Sequence, residues 1–160
     1  MAEACYMSLK AKGVDIKGES TVTSLGRENT IECMKFEHLV HTSHEKSTGM
    51  GTGRRTHTPV VISKRIDKST PLLYKALVNN EPVDAVIKFF RPNPTGDGTT
   101  EQFYTIELQK GRILQVKTLL PNVFDPNTAN QPIWEEVSIV YQTITWTYTN
   151  GGITHMDQWQ

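Results

Sequence analysis

The sequence predicts a mainly β fold, in which the strands form a closed or doubly layered sheet and one short helix lies on it. The first observation is composition: the 160 residues include 20 Thr, 12 Val and 11 Ile, β-branched side chains that favour pleated sheet over helix. The second is a repeated alternation of apolar and polar residues, which is typical of half-buried strands. The third is a single segment, residues 67–77, whose pattern is helical instead.

Six segments show the strand pattern. In residues 30–40, for example, Met34 and Phe36 alternate with Lys35 and Glu37. The predicted strands are residues 30–40, 60–66, 83–90, 103–108, 113–120 and 137–149. Six or more strands have to hide their faces and edges, so we expect the sheet to close on itself or to form two layers.

The apolar pattern of the last segment changes phase part-way along. Apolar residues occupy odd positions as far as Tyr141 and even positions from Ile144 onward. Such a switch indicates a bulge, or a strand that leaves one packed surface for another. The opposite face of the later part is a run of hydroxyls suited to solvent or to a neighbouring subunit: Thr143, Thr145, Thr147 and Thr149.

Residues 67–77 predict the short amphipathic helix. Thr70 can cap its start, Pro71 suits its first position, and Leu73 and Leu77 lie one turn apart on the same face. Asn79 and the residues after it end the helix. A helix of about 8–10 residues is not stable alone, so we expect it to pack on the sheet.

Composition limits the classes of function. Seventeen Lys plus Arg balance seventeen Asp plus Glu, so no overall field attracts nucleic acid or an acidic membrane. Cys5 and Cys33 are too few for a disulfide scaffold and are expected to be free thiols. Residues 1–12 lack the features of a secretory signal, and no apolar run is long enough for membrane insertion. We therefore expect one domain, residues 1–160, made in the cytoplasm.

Three long polar stretches separate the strands: residues 41–57, 91–102 and 121–132. The first contains Gly49, Gly51 and Gly53 followed by Arg54 and Arg55, which suggests a phosphate-binding loop. Such a loop leads from a strand into a helix, whereas here the chain continues into the strand predicted at 60–66. The interpretation favoured for this stretch is an exposed loop.

Histidines and a cysteine offer an alternative of a different class, a small β-barrel enzyme or ligand-binding module that uses His38, His41 and Cys33. His38, His41 and His44 recur at intervals of three, with His57 and Cys33 nearby. Zinc ligands normally converge from tight turns or helices, but on a strand that runs into a loop His38 and His41 point to opposite faces. Cys33 and His38 are likewise separated along the strand. We therefore expect no catalytic residues, no metal and no cofactor.

Several motifs in order along the whole chain resemble the Hcp family, the tube protein of bacterial type VI secretion. Lys17-Gly18-Glu19-Ser20 resembles the early Gly-Glu-Ser turn of that family. Residues 57–73 resemble its most diagnostic segment, above all Asp67-Lys68-Ser69-Thr70-Pro71. Residues 103–108 and 136–146, the latter with Tyr141 and Trp146, complete the set.

The resemblance implies a two-sheet β-barrel with a flanking helix that assembles into hexameric rings. It also implies that the rings stack into a tube inside a contractile sheath, with a spike protein at the tip and effector proteins in the lumen. The protein would then be a structural subunit, assembled in the cytoplasm and secreted without a cleaved signal peptide. The tail-tube protein of another, phage-like contractile system is the nearest alternative of the same class.

Two sets of residues are candidates for assembly and cargo. Lys35 and Glu37 lie on the polar side of their strand, so we expect them to face the pore and touch cargo. The loop at 41–57 is longer than a strand connection requires and glycines make it costly to order, so we expect it to gain order on a neighbouring subunit or ring. Its candidate residues are Ser43, Thr48, Gly49, Gly51, Gly53, Arg54 and Arg55.

Overall fold

The strands and the helix follow the class that the sequence predicts. The structure is a computed structural model that describes residues 3–43, 49 and 53–159. These residues form eleven strands, one α-helix and a 3₁₀ turn at Ser24–Gly26. The strands are β1 (Ala4–Ala11), β2 (Val14–Ile16), β3 (Ile31–Glu37), β4 (Val40–His41), β5 (Thr56–His57), β6 (Val60–Arg65), β7 (Val83–Pro92), β8 (Thr100–Leu119), β9 (Trp134–Val140), β10 (Thr143–Tyr148) and β11 (Ile153–Gln158). Helix α1 spans Thr70–Val78.

The main sheet closes on itself. Its strands follow the order β11-β10-β8-β7-β1-β3-β6-β9, and an additional pairing of β8 with β9 completes the ring. All of these neighbours are antiparallel. Strand β2 pairs with β1, and β4 with β5 forms a separate two-stranded ribbon. The closed ring leaves no free edge on β1, β3, β6, β7, β8 or β9, as the number of predicted strands required, and β10 and β11 extend from it.

Strand β8 makes the closure possible because it belongs to two parts of the sheet. It runs for 20 residues. Its first part pairs with β7 and β10, and its second part pairs with β9. The sequence predicted two strands here, at 103–108 and 113–120. The polar residues between them mark a bend in one continuous strand: Lys110 has a φ of 52°, and its N–H donates to Asp84 Oδ1 at 3.0 Å.

The phase change in residues 137–149 is a change of neighbours, as the pattern predicted. Strand β9 ends at Val140, and β10 begins at Thr143. Both pair with β8, but the other neighbour of β9 is β6 and that of β10 is β11. The run of hydroxyls on β10 is less open than expected, because Thr143 is buried and Thr145 and Thr147 are half-buried. Only Thr149, beyond the strand, is exposed among these four threonines.

The six predicted segments do not include every strand, and one of them is too long. Strands β1, β2, β5 and β11 were not among the six predicted segments, since β2 and β5 are short and β11 is largely exposed. The segment predicted at 30–40 ends at Glu37. The register shifts between Cys33 and Lys35, so Met34 is 48% exposed and does not share the buried side with Phe36.

The core lies inside the closed sheet, and α1 covers part of it. Leu73 and Ala76 of the helix are fully buried among the inward side chains of the strands. Those side chains include Met7, Leu9, Ile31, Val60, Ile62, Ile87, Leu108, Val137 and Ile139. The described part of the chain contains no helix with the length and apolar character needed to cross a membrane.

The start of α1 differs in detail from the prediction. Thr70 is the first helical residue, and Ser69 precedes it without a side-chain cap hydrogen bond. Asp67 organises the turn instead, because its Oδ1 accepts a hydrogen bond from the Ser69 N–H at 2.9 Å. The Thr70 hydroxyl accepts one from the Asp67 N–H at 3.2 Å. The turn is thus held by the side chain two residues before Ser69, which the simple capping rule does not anticipate.

Gly18 is required where the chain passes close to the start of β3. Its N–H donates to the Asn29 carbonyl at 3.0 Å. A Cβ at this position would lie 2.5 Å from the Thr30 carbonyl oxygen and 2.8 Å from Ile31 Cα. Both are backbone atoms that cannot rotate away. The glycine of the Gly-Glu-Ser turn therefore has a packing reason.

We predict that Gly18→Ala lowers the free energy of unfolding by about 1–3 kcal/mol, the usual cost of overpacking. Urea denaturation followed by circular dichroism measures the change. Gly53→Ala is the matched control, because its Cβ would have no atom nearer than Ser43 Cβ at 3.8 Å among the described residues. Equal midpoints for the two variants would contradict the packing role of Gly18.

Candidate assembly surfaces and their supporting networks

The Asp67-to-Pro71 motif surrounds a buried lysine. Lys64 lies opposite Glu135 in the pairing of β6 with β9, and both side chains are fully buried. The Lys64 ammonium contacts the Glu135 carboxylate directly and the Asp67 carboxylate at 3.0 Å. The Thr70 hydroxyl donates to Glu135 Oε1 at 2.9 Å. The motif therefore joins the start of α1 to two strands of the closed sheet.

Charges within this network stabilise each other. Burial alone would raise the pKa of the Asp67 carboxyl, but hydrogen bonds from Ser69 and Lys64 hold it below its usual range. The Lys68 N–H donates to Glu19 Oε2 at 3.1 Å, which connects the motif with the Gly-Glu-Ser turn. Pro71 is exposed in the first turn of α1, where its missing N–H costs nothing. These contacts are structural.

A second network of hydrogen bonds joins His57, at the end of β5, to β11. Tyr141 places its hydroxyl 2.6 Å from His38 Nε2 and 2.7 Å from His57 Nδ1. His57 Nε2 lies 2.8 Å from Asp157 Oδ2. The Arg55 guanidinium binds the same carboxylate in a bidentate manner, at 2.6 and 2.7 Å. Two histidines, a tyrosine and an ion pair thus form one continuous chain of hydrogen bonds.

One arrangement of protons satisfies the whole network with neutral histidines. Because the Asp157 carboxylate only accepts, His57 Nε2 donates to it, and His57 Nδ1 then accepts from the Tyr141 hydroxyl. The Tyr141 oxygen in turn accepts from His38 Nε2. Burial, and then the nearby His57, lowers the pKa of His38 below its usual value, which keeps its ring neutral at pH 7.

The order Asp157, His57, Tyr141 looks like a catalytic relay, but the last group is unsuited to attack. Tyr141 is 5% exposed, and burial raises the pKa of its hydroxyl well above the usual range. The hydroxyl therefore stays protonated and has histidines on both sides. Aromatic rings also pack against the network. The Trp146 ring stacks with His57 at a centroid distance of 6.4 Å and with His155 at 6.0 Å. The arrangement favours holding strands together over chemistry.

The residues of the metal-site alternative do not come together. His38 belongs to the Tyr141 network, whereas His41 is exposed on β4 and pairs with Thr56. Cys33 lies on β3 opposite Cys5. His44 lies outside the described residues. Among the residues that the structure describes, no group of three or more His, Cys, Asp or Glu side chains is arranged to hold a metal ion.

Lys35 and Glu37 lie on the exposed face of β3. Their side chains are 62% and 60% exposed and pair with each other at 2.8 Å. Phe36 between them turns the other way and meets Phe89 edge to face, with ring centroids 5.1 Å apart. The hydrogen bond from the Lys35 ammonium to Glu37 raises the pKa of Lys35. This charged pair is thus accessible to another molecule.

The candidate loop starts and ends on the β4–β5 ribbon. Ser43, Gly49, Gly53, Arg54 and Arg55 are exposed. Thr48 and Gly51 lie outside the described residues. Arg55, one of the candidate assembly residues, makes paired hydrogen bonds within the chain, to Asp157. The loop end is therefore fixed to β11, a contact between residues far apart in sequence that no local pattern could reveal.

An exposed apolar segment was also missed. Phe124, in the third predicted loop, is 93% exposed. Leu120 and Val123 beside it are also exposed. The sequence analysis classed residues 121–132 by their polar and turn-forming members and did not single out these apolar side chains. Neighbouring large apolar side chains in water are typical of a surface that another molecule covers.

Comparison with known proteins decides the family. The family described as "Type VI secretion system effector, Hcp" matches residues 6–148. This chain belongs to the Hcp family. The major exported protein of Pseudomonas aeruginosa PAO1 is 34% identical over an alignment 169 residues long. The alignment covers 100% of this chain and 97% of the relative. The confirmed family is the one that the motifs around Gly18 and Asp67 indicated.

Solved Hcp structures share the fold over nearly the whole chain. The Hcp1 protein of Escherichia coli EAEC 042, solved as a double tryptophan mutant, is 32% identical. It has a TM-score of 0.84, and the match covers 99% of this chain and 100% of that one. Secreted protein Hcp3 of Pseudomonas aeruginosa is 26% identical with a TM-score of 0.74, and 99% of each chain is covered. The Hcp family is one of type VI secretion tube proteins.

We predict that Lys64→Met lowers the free energy of unfolding by about 3–5 kcal/mol, because it leaves the Glu135 carboxylate buried without its counter-ion. Glu135→Leu should cost less, since Asp67 still faces the ammonium. Urea midpoints of both variants and of the Lys64→Met/Glu135→Leu double variant measure the coupling. A double variant whose loss equals the sum of the two single losses would show that the pair is not coupled.

We predict that Asp157→Asn destabilises the Hcp chain at pH 7 by about 2–6 °C in Tm but has a much smaller effect near pH 2. Hydrogen bonds from Arg55, and then from His57, lower the pKa of Asp157 to about 2. A carboxyl with a lowered pKa stabilises the fold above its unfolded value, which is about 3.9, and this contribution is lost as the pH falls toward the folded value.

Thermal melts at the two pH values give the measurement. Asp84→Asn is a suitable control, because Asp84 is an exposed carboxylate that accepts one backbone hydrogen bond at the β8 bend. A constant difference in Tm between wild type and Asp157→Asn at both pH values would contradict the ionic role of Asp157.

Proposed function

We propose that this protein is the structural subunit of a type VI secretion inner tube, in which hexameric rings stack, are exported by sheath contraction and carry effector proteins in the lumen. The observation that carries the proposal is the full-length relation to a major exported protein, 34% identical over 100% of this chain. A spike protein at the tube tip and a surrounding sheath are the further partners. Assembly takes place in the cytoplasm, and secretion uses no cleaved signal peptide.

The free surfaces of the chain support self-assembly. Within the described residues, β11 pairs with β10 alone, so its outer edge has backbone groups available to another chain. Ile153 and Met156 on this strand are 68% and 56% exposed. Phe124 and its apolar neighbours add a second uncovered surface. Contacts between unlike surfaces of identical subunits close into rings when the rotation allows it.

The networks behind these surfaces support a structural role over catalysis. Lys64 and Asp157, each with several hydrogen bonds, join strands to one another or to the loop end. In the tail-tube alternative the assembly would be the same in kind, and the Hcp family match favours type VI secretion. The enzyme alternative would need His38, His41 and Cys33 to act together, but they lie in separate environments.

We predict that the purified protein is mainly hexameric. Native mass spectrometry should show a species of about 109 kDa, six chains of 18.1 kDa each. Sedimentation provides a second measurement at micromolar concentration. A monomer in both measurements would overturn the ring proposal.

In this proposal the loop at residues 41–57 helps one ring to stack on the next. Replacing residues 43–54 by a short turn should leave the hexamer, the circular dichroism spectrum and cooperative melting intact, because Arg55 and the β5 strand remain. Tube formation under the electron microscope and secretion should be impaired. Normal tubes and normal secretion in this variant would remove the loop from assembly, and failure to fold would place it in the core.

We predict that Glu37→Trp abolishes co-purification of effectors while rings persist, because Lys35 and Glu37 face the lumen in this proposal. The exposure of both side chains means that the substitution disturbs no packing. Lys75→Trp is the control, a bulky change at an exposed position on α1. Unchanged effector recovery with Glu37→Trp would move the cargo site to another face.

A further inference from the structure

The two cysteines of the chain are direct cross-strand neighbours. Cys5 of β1 and Cys33 of β3 are register partners in the antiparallel pairing, although they lie far apart in sequence. Both are free thiols and partly buried. Opposite residues in an antiparallel pair have Cα atoms about 4.5–5.5 Å apart. This spacing lies within the range of about 4.4–6.8 Å that a disulfide spans.

The side chains occupy the same side of the sheet. Cys5 and Cys33 both pack against the core cluster, and Cys5 also lies opposite Phe89 of β7. The Cys33 Sγ lies 3.6 Å from the Ile31 carbonyl oxygen. A hydrogen bond with the Cys5 thiol is the largest cause of the raised pKa of Cys33, followed by burial. The strand register, which makes the two residues direct partners, places the two thiols next to each other.

An open pocket gives a reagent access to this pair. Cys33 lines a cavity of about 430 Å³ together with Glu19, Thr21, Glu32 and Arg65. Met34 belongs to the same lining and is exposed because of the register shift in β3. Cys5 is not among the described residues that line the cavity. A small molecule in the pocket thus contacts Cys33, and the half-buried Cys5 lies beside it across the strand pair.

We propose that Cys5 and Cys33 are a redox-active pair that a low-molecular-weight disulfide oxidises to a cross-strand disulfide. The Cys33 thiolate attacks one sulfur of oxidised glutathione, which forms a mixed disulfide and releases one glutathione thiolate. The Cys5 thiolate then attacks the Cys33 sulfur and displaces the second glutathione. Two electrons pass to the reagent, and the two thiol protons go to the two glutathione thiolates.

The environment of Cys33 sets when the reaction takes place. The pair stays reduced where glutathione keeps thiols reduced, and the raised pKa of Cys33, which leaves little thiolate at neutral pH, makes its oxidation slow there. Under oxidising conditions the new bond joins β1 to β3 inside the closed sheet. It thereby restricts the unfolded chain between the two cysteines and stabilises the fold.

The test uses the purified full-length protein in its native assembly, treated with excess oxidised glutathione at mildly alkaline pH and compared with an untreated sample. Intact mass should fall by about 2 Da per chain, for the two hydrogens lost. Peptide mapping without reduction should give a Cys5–Cys33 linked peptide. The Tm should rise by about 5–10 °C and return to its starting value with dithiothreitol.

Single substitutions separate the two roles. Cys5→Ser should stop at the mixed disulfide, with one glutathione on Cys33. Cys33→Ser should react more slowly, because Cys33 and not Cys5 lines the pocket. Folded wild-type protein that keeps both thiols, that carries glutathione without the linked peptide, or that forms disulfides between chains would each overturn the proposal.

Discussion

Closure of the sheet through β8 is the constraint on which the other elements depend. Because this strand pairs with β7 and β10 in its first part and with β9 in its second, it has to change direction near Lys110. Gly111 allows this, since a Cβ there would lie 2.7 Å from the Val140 carbonyl oxygen. The ring of strands then encloses the apolar core, and β10 and β11 extend from it.

The two polar networks connect strands of the closed sheet to each other and to neighbouring elements. Lys64 and Glu135 connect neighbouring strands of the ring and secure the start of α1 through Asp67. Asp157 of β11 connects through His57 of β5 to Tyr141, which directly follows β9 of the ring. Each ionisable group in these networks has at least one partner, and Glu135 Oε2 is the one buried side-chain oxygen or nitrogen without a partner among the described residues. Charged and polar groups can therefore be buried in a small β protein when partners offset the loss of water.

Local pattern predicted the class of fold, the helix and the phase change after Tyr141, because these depend on residues a few positions apart. It also singled out Lys35 and Glu37, whose exposure needs only the alternation around Phe36. The local pattern could not predict that β8 is one continuous strand, because a polar bend within a strand and a loop have the same local composition. The contact of Arg55 with Asp157 was also hidden, because pairing across the fold leaves no trace in the spacing of residues. The family came from the motifs at the Gly-Glu-Ser turn and the start of α1, which no periodicity could supply.

The distribution of polar groups also distinguishes the interior of the chain from its exposed surface. Strong ionic contacts such as that of Lys64 are made inside the chain, so they hold its shape and cannot exchange with a partner. The candidate surfaces outside it include the Lys35–Glu37 pair with no net charge, half-buried hydroxyls on β10, and apolar side chains such as Phe124. Contacts made from such groups have little long-range field and depend on shape. In the proposed tube each added ring would contribute no net formal charge, so repulsion between net charges would not grow with the length of the tube.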